Sequence, residues 1–220
     1  MTVAAVILVP DPAVALSDAD GLPALRRAVQ SAWAGGALPI VVVSHASAES
    51  DALAAAIEGL PASLIRPEDV PPGAGWFGAG VAAARELVGD TEAALLWPAR
   101  FAWIDPETVT STIEAHGADL SAIVRPAYEG QPGFPILVPA AHRTRFVAER
   151  TLHAFQIVDT LVAEGAATRT LELGDPGIVM DVSTPRDALP AYQGPPVPAG
   201  APEWNAELGA HAQRSDTPAT

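Results

Sequence analysis

"VILVPDPAVALSDADGLPALRRAV", residues 6–29, decides the architecture. Its first residues close an apolar run, 4–9, that is too short for a helix and rich in Val, Ile and Leu. A run with no polar alternation describes a strand buried on both faces. A proline-interrupted acidic loop follows, and residues 22–34 then carry a helical pattern. Strand, loop and returning helix make the first half of a βαβ unit. Loops at this position commonly bind phosphate, using glycines, backbone N–H groups and a basic side chain. This loop offers Asp11, Asp18 and Asp20 instead. They read as a site for a cation or cationic ligand, or as solvated loop carboxylates, with Asp18 or Asp20 capping the next helix.

The same punctuation continues along the chain. Apolar runs at 39–44, 93–97 and 121–124 read as further buried strands, and residues 48–60 and 78–88 as helices. Asp105-Pro106-Glu107 opens another helix, with an Asp cap and Pro at the first helical position. Such alternation predicts an α/β fold with a three-layer α/β/α arrangement around an open, mostly parallel sheet. Ligands in these sheets sit outside the carboxyl ends of the strands. After residue 124 the rhythm changes. Turn residues within 125–138 suit a hairpin or a strand added to the sheet edge. Helices follow at 140–149 and 154–164, and strands at 169–173 and 177–182. Next come Thr184 as a cap, Pro185 at the first helical position and Asp187 at the third. Residues 1–192 are therefore expected to form one domain, and 193–220 a loosely ordered tail rich in Pro, Ala and Gly, with Trp204 its one large anchor.

Composition narrows the partners. Of 220 residues, 49% are apolar and 17% charged, as in a globular chain. The net charge of −14 sets 26 acidic residues against 12 basic ones, and every basic residue is Arg. Nucleic acids and anionic membranes need clustered positive charge, so neither is expected as the main partner. With no Cys there are no disulfides, thiolate metal sites or Cys nucleophiles. The apolar start lacks a basic leader and stops at Pro10-Asp11, so the expectation is a cytoplasmic protein without a membrane span.

Several side chains are candidates for a site. Arg100 is flanked by Trp97, Phe101 and Trp103 beyond a central strand, as an apolar pocket with a cation–π clamp or as core packing. Gly73, Gly75, Gly78 and Gly80, with Trp76 and Phe77 among them, read as a ligand loop or as the start of a helix. Ser44 and His45 end the second strand on the ligand edge, where a lone His is either functional or simply exposed. His116, His142, His153 and His211 show no metal-site spacing.

With this order of elements the chain resembles the MobA/MocA-type nucleotidyltransferases over roughly residues 3–192. "GLPALRRAV" (21–29) looks like the family's "GxPLL" helix, and "LPIVVVSH" (38–45) like its second strand. "WIDPETV" (103–109) looks like the segment behind the metal-binding aspartate. "GQPGFPILV" (130–138) and "DPGIVMDVSTPRD" (175–187) are similar to the late "GxxGHPVLF" and "DIDTPED" signatures. The resemblance implies a Rossmann-like fold of the nucleotide-diphospho-sugar transferase type. It also implies transfer of a nucleotide from an NTP to a molybdenum cofactor, with Mg2+ held by aspartates as an oxygen attacks the α-phosphate. Gly75, Gly78, Gly80, Ser44 and His45 would then surround the nucleotide, and Asp181 would lie near the metal.

Four departures fall on the active face. The family's "LAAGxSxRMGxxK" loop is "LVPDPAVALSDADG" here, without its glycine pair, Arg or Lys. Arg100 stands where the family has its metal-binding Asp, and could instead pair with an anionic ligand or with Asp181. Phe134 replaces the His of "GHP", and Ser183 the second Asp of the last signature. The pattern predicts a retained fold with weakened or lost catalysis. Alternatives are a non-catalytic protein that binds a neutral or cationic small molecule, a molybdoenzyme or a cofactor-assembly protein, or an oxidoreductase, for which no GxGxxG follows the first strand.

Overall fold

A computed structural model describes residues 2–68, 70, 73–148 and 152–194. The first strand, β1 (Thr2–Val9), lies in the interior of the sheet. Val3, Ala5, Ile7 and Val9 face one side, Ala4, Val6 and Leu8 the other, and all are buried. Both faces are dry, which is why the strand carries no polar position. Its parallel neighbours are β2 (Ile40–Ser44) and β4 (Thr91–Pro98), and β3 (Ala62–Ile65) extends the sheet beyond β2. On the far side of β4 lies β7 (Ile136–Pro139), antiparallel to β4 and to β5 (Ile123–Tyr128). The short β6 (Gln131–Pro132) folds back on β5, and β8 (Thr168–Glu172) pairs with β5 in parallel. The order is β3-β2-β1-β4-β7-β5-β6, with β8 branching from β5.

Helices cover both faces. The Ile7 face receives Ala15 of α1 (Pro12–Leu16), Leu25 and Val29 of α2 (Ala24–Ala34), Leu53 of α3 (Ser50–Ala56) and Val109 of α5 (Pro106–Ala118). The Val6 face receives Trp76 and Phe77 of α4 (Ala74–Leu87), Phe146 of α6 (Arg143–Ala148), and Ile157 and Leu161 of α7 (Ala154–Ala163). This is the three-layer α/β/α arrangement that the apolar runs predicted. As expected, Pro106 starts α5 and the Asp105 carboxylate accepts the Glu107 N–H at 2.9 Å. Among the described residues no helix is long and apolar enough to cross a membrane.

Several elements differ from the sequence reading. The strand expected at 177–182 is absent, because the Asp175 carboxylate takes the Gly177 N–H and turns Pro176–Ile178 into a 3₁₀ turn. Likewise the helix expected from Pro185 is a single 3₁₀ turn, Arg186–Ala188, without a side-chain cap. Thr184 does not cap it; its carbonyl accepts from the Trp103 indole at 3.1 Å. The strand at 121–124 begins at Ile123 and continues to Tyr128, into the hairpin. At 48–60 the helix is only Ser50–Ala56, and at 140–149 a 3₁₀ turn, Ala140–His142, precedes α6. β3 has no counterpart in the sequence reading because every one of its residues is half-buried at the sheet edge, so no apolar run marks it. Glu149, Trp204 and nearly all of the 193–220 tail lie outside the described residues.

His116, on α5, is 1% exposed, and neither ring nitrogen has a hydrogen-bond partner among the described residues. Burial holds its pKa below the ordinary value, against the opposing pull of Glu92 and Asp119. Below about pH 6.5 the unfolded chain takes up a proton at this position that the folded chain refuses, so stability falls as pH drops. Urea denaturation between about pH 7 and 5 should show that slope. His116→Leu, which buries no ring nitrogen, should flatten it; an unchanged slope would place the cause elsewhere.

Candidate functional site

The chain leaves β1 toward β2 on one side and β4 on the other, so a crevice opens where the strand order reverses. A cavity of about 580 Å³ lies there, walled by Leu8 and Pro10 at the end of β1, by Leu96 and Pro98 of β4, and by Arg100 and Phe101 in the turn after it. Gly73 and Trp76 at the start of α4, Phe134 before β7 and Ile136 within it, and His153 and Phe155 at the start of α7 complete the wall, with Arg125 of β5. Its size falls within the usual range of small-molecule sites.

The turn after β4 is fastened from several directions. Ala99 donates its N–H to Leu8 O at 2.9 Å, Phe101 to Pro98 O at 3.0 Å, and the buried Trp97 indole to Phe101 O at 2.9 Å. Arg100 is thereby presented at the rim, with its guanidinium 5.0 Å from the Phe101 ring centre. Its Nε meets Asp181 Oδ2 at 3.1 Å. The other carboxylate oxygen, Oδ1, accepts the Ser183 N–H at 2.9 Å and the Ser183 hydroxyl at 2.5 Å. The Arg100 side chain is 57% exposed, so the pair contributes only about 0–1 kcal/mol to stability. Its consequence is for the site, where both oxygens of Asp181 are engaged.

Trp103 and Asp175 anchor the segment that carries Asp181. The Trp103 indole donates to Asp181 O at 3.0 Å, and Val182 donates its N–H to Arg100 O at 3.0 Å. Asp175, 2% exposed, accepts from Asp105 N at 2.9 Å, Thr108 Oγ1 at 2.7 Å and Gly177 N at 2.8 Å. Burial pushes its carboxyl above the ordinary carboxylate range, while those three bonds pull it back.

The remaining predicted residues are dispersed. The loop after β1 spends its carboxylates on itself: Asp11 Oδ1 caps α1 through Ala13 N and Val14 N, and Asp18 accepts the Gly21 N–H. Asp20 pairs with Arg27 at 2.9 Å. Contrary to expectation, neither Asp18 nor Asp20 caps α2, whose first turn has no side-chain cap. Gly75, Gly78 and Gly80 are not in a loop but inside α4. A Cβ on Gly80 would stand 2.4 Å from Val6 Cγ1, and one on Gly78 2.8 Å from Val147 Cγ2, so both permit close packing of α4. A Cβ on Gly75 would meet Val70 at 2.7 Å. Ser44 is buried at the end of β2, its hydroxyl donating to His45 O at 3.2 Å. His45 is exposed, 6.0 Å from the Trp76 ring, and is not part of the cavity wall. Two polar wall residues, Arg125 and His153, went unselected in the sequence reading, as did the aromatic Phe155. Arg125 carried a usable signal, as the one charge in the otherwise apolar segment 122–128. His153 carried none.

The strands thus form an α/β fold, a doubly covered, mostly parallel sheet with an antiparallel strand inserted past β4 and a crevice at the β1/β4 reversal. Residues 15–164 match the model of the MobA-like NTP transferase domain, and the chain belongs to that family. A nucleotidyl transferase from Methanothermobacter superposes with a TM-score of 0.67 at 14% identity, covering 98% of this chain and 99% of that one. Rv0371c of Mycobacterium tuberculosis H37Rv, in its complex with manganese, gives 0.64 at 16% identity over 79% of this chain and 89% of that one. CMP:2-keto-3-deoxy-manno-octonic acid synthetase, complexed with CTP, gives 0.59 at 12% identity over 79% and 90%. At these identities the likeness concerns the fold. No curated protein matches by sequence.

Proposed function

We propose that this chain is a MobA-like family member that keeps the family's crevice but does not transfer nucleotides, and that the crevice binds a small molecule. The Arg100–Asp181 ion pair carries this reading. In the alignment of motifs, Arg100 stands at one metal-binding carboxylate and Asp181 at another. A hard divalent cation takes several oxygen ligands. Here one candidate ligand is a guanidinium, and the other has both oxygens committed to Arg100 and Ser183. Among the described residues no group of three or more His, Asp or Glu side chains could hold a metal. This donor set does not fit Mg2+.

The phosphate side points the same way. Phosphoryl-type transfer depends on cationic groups arranged around the phosphates. Arg100 and Arg125 are the cationic side chains among the described wall residues, and each already faces a carboxylate: Asp181 at 3.1 Å and Asp159 at 2.9 Å. The loop after β1 folds into α1 on its own aspartate cap and supplies no basic residue. The family resemblance supports a setting in molybdenum cofactor assembly, with a molybdoenzyme or an assembly protein as partner.

Calorimetry with CTP, GTP and ATP, with and without MgCl2, is expected to show no saturable binding at submillimolar concentration. Saturation accompanied by pyrophosphate release would sink the proposal. Arg100→Asp should release Asp181 and place a second carboxylate at the rim, giving Mn2+ binding that the parent chain lacks. If metal affinity is unchanged in this variant, the turn after β4 is not the family's metal position.

A further inference from the structure

We infer that the cavity's ligand is a small organic monoanion, with an apolar body held among the aromatic walls and one carboxylate received by Arg125. This rests on the reading of the crevice as a small-molecule site. The first support is charge selection. In a chain of net charge −14 with 26 acidic residues, the described cavity wall contains no Asp or Glu; its charged side chains are Arg100 and Arg125. The second is a partly used donor. Arg125 gives NH1 to Asp159 at 2.9 Å and keeps its side chain, 24% exposed, on the cavity wall. A guanidinium carries five N–H donors in a planar fork, so one carboxylate does not exhaust it.

The third is shape. Trp76, Phe101, Phe134 and Phe155 stand around the space, with Phe101 and Phe134 rings 4.7 Å apart and Phe155 stacked on His153 at 5.5 Å. An aryl or branched aliphatic body suits such a wall. The valence of the head follows from the ion pairs. Because Asp159 and Asp181 already offset the two guanidiniums, the site has no net positive charge to set against a polyphosphate, whereas a single carboxylate needs only the N–H donors that the ion pairs leave over.

The test uses 2-naphthoate and its uncharged isostere 2-naphthamide, titrated against the full chain by calorimetry and by its tryptophan fluorescence, to which Trp76 on the wall contributes. Naphthoate is expected to bind about tenfold or more tightly than the amide, the usual gain of a charge-assisted hydrogen bond. Arg125→Gln should remove that preference and leave amide affinity within about twofold. Asp159→Asn, which keeps Arg125 and frees its other edge, should raise naphthoate affinity and serves as the control should Arg125→Gln fold poorly. Equal affinity for the two compounds overturns the carboxylate assignment while leaving the small-molecule reading intact. Binding of neither compound overturns the inference. Saturable CTP binding with Mg2+ and pyrophosphate release defeats the proposed function itself, whatever the naphthyl compounds do.

Discussion

Asp175→Ala is expected to lower the unfolding free energy by about 3 kcal/mol, read from urea denaturation near neutral pH. The loss arises from what is left behind. Without the carboxylate, the Asp105 N–H, the Thr108 hydroxyl and the Gly177 N–H remain inside the protein with no acceptor. Each buried donor so stranded costs on the order of 1–3 kcal/mol, and neighbouring ones relax together rather than adding in full. Ionising a group buried to this degree also has a cost, seen in the raised carboxyl pKa. Asp175→Asn removes that cost but sets an amide NH2 among three donors, so it should fall between the parent and the alanine variant. If Asp175→Ala unfolds like the parent, the three bonds are not what holds the Pro176–Ile178 turn against α5.

Trp97→Ala should be larger, about 4 kcal/mol, in the range measured for emptying a large aromatic site in a core. Trp97 is fully buried, pairs in register with Ile7 of β1, and holds the turn after β4 through its indole bond to Phe101 O. Trp97→Phe separates the two contributions. It retains most of the apolar volume and forfeits the hydrogen bond, so a loss of about 1–2 kcal/mol is expected. Naphthoate affinity is the second readout. Because the indole bond positions the turn carrying Arg100 and Phe101, Trp97→Phe should weaken binding even where the chain remains folded.

The strands covered on both sides were the most legible part of the molecule. β1, β2 and β4 are buried along nearly their whole length, so their sequences are continuous apolar runs that little else produces. The N-terminus of α5 was equally plain, since Asp105 and Pro106 act locally. What stayed hidden depended on remote partners. Residues 177–182 look like a strand until the carboxylate of Asp175 is seen drawing Gly177 and Thr108 together, and no local pattern reports that bond. α4 shows the same difficulty in reverse. Its glycines suggest a ligand loop, yet Gly78 and Gly80 are there because Val147 and Val6 leave no room for a Cβ.

The candidate site was partly legible for the same reason. Arg100 and Asp181 could be paired in advance because motif positions converge on one crevice, and the structure brings them to 3.1 Å. Arg125 could be noticed as the lone charge in an apolar segment but not placed on the wall, because that placement depends on β7 coming to lie between β4 and β5.

That insertion has a further consequence, for folding. β7 follows β5 in the chain yet occupies the gap between β4 and β5, in register Leu95 with Leu137 and Val124 with Leu137. The sheet cannot be zipped in chain order; β5 has no attachment to β4 until the chain has doubled back. The wall bearing Arg125, Phe134 and Ile136 is thus assembled only when this long-range closure is made, and long-range closure is the slow part of folding. A chain folded only through β4 would present the Arg100 turn but no cavity. Occupancy of the crevice therefore reports a completed sheet, and any ligand that binds there stabilises the whole domain by mass action rather than one of its halves.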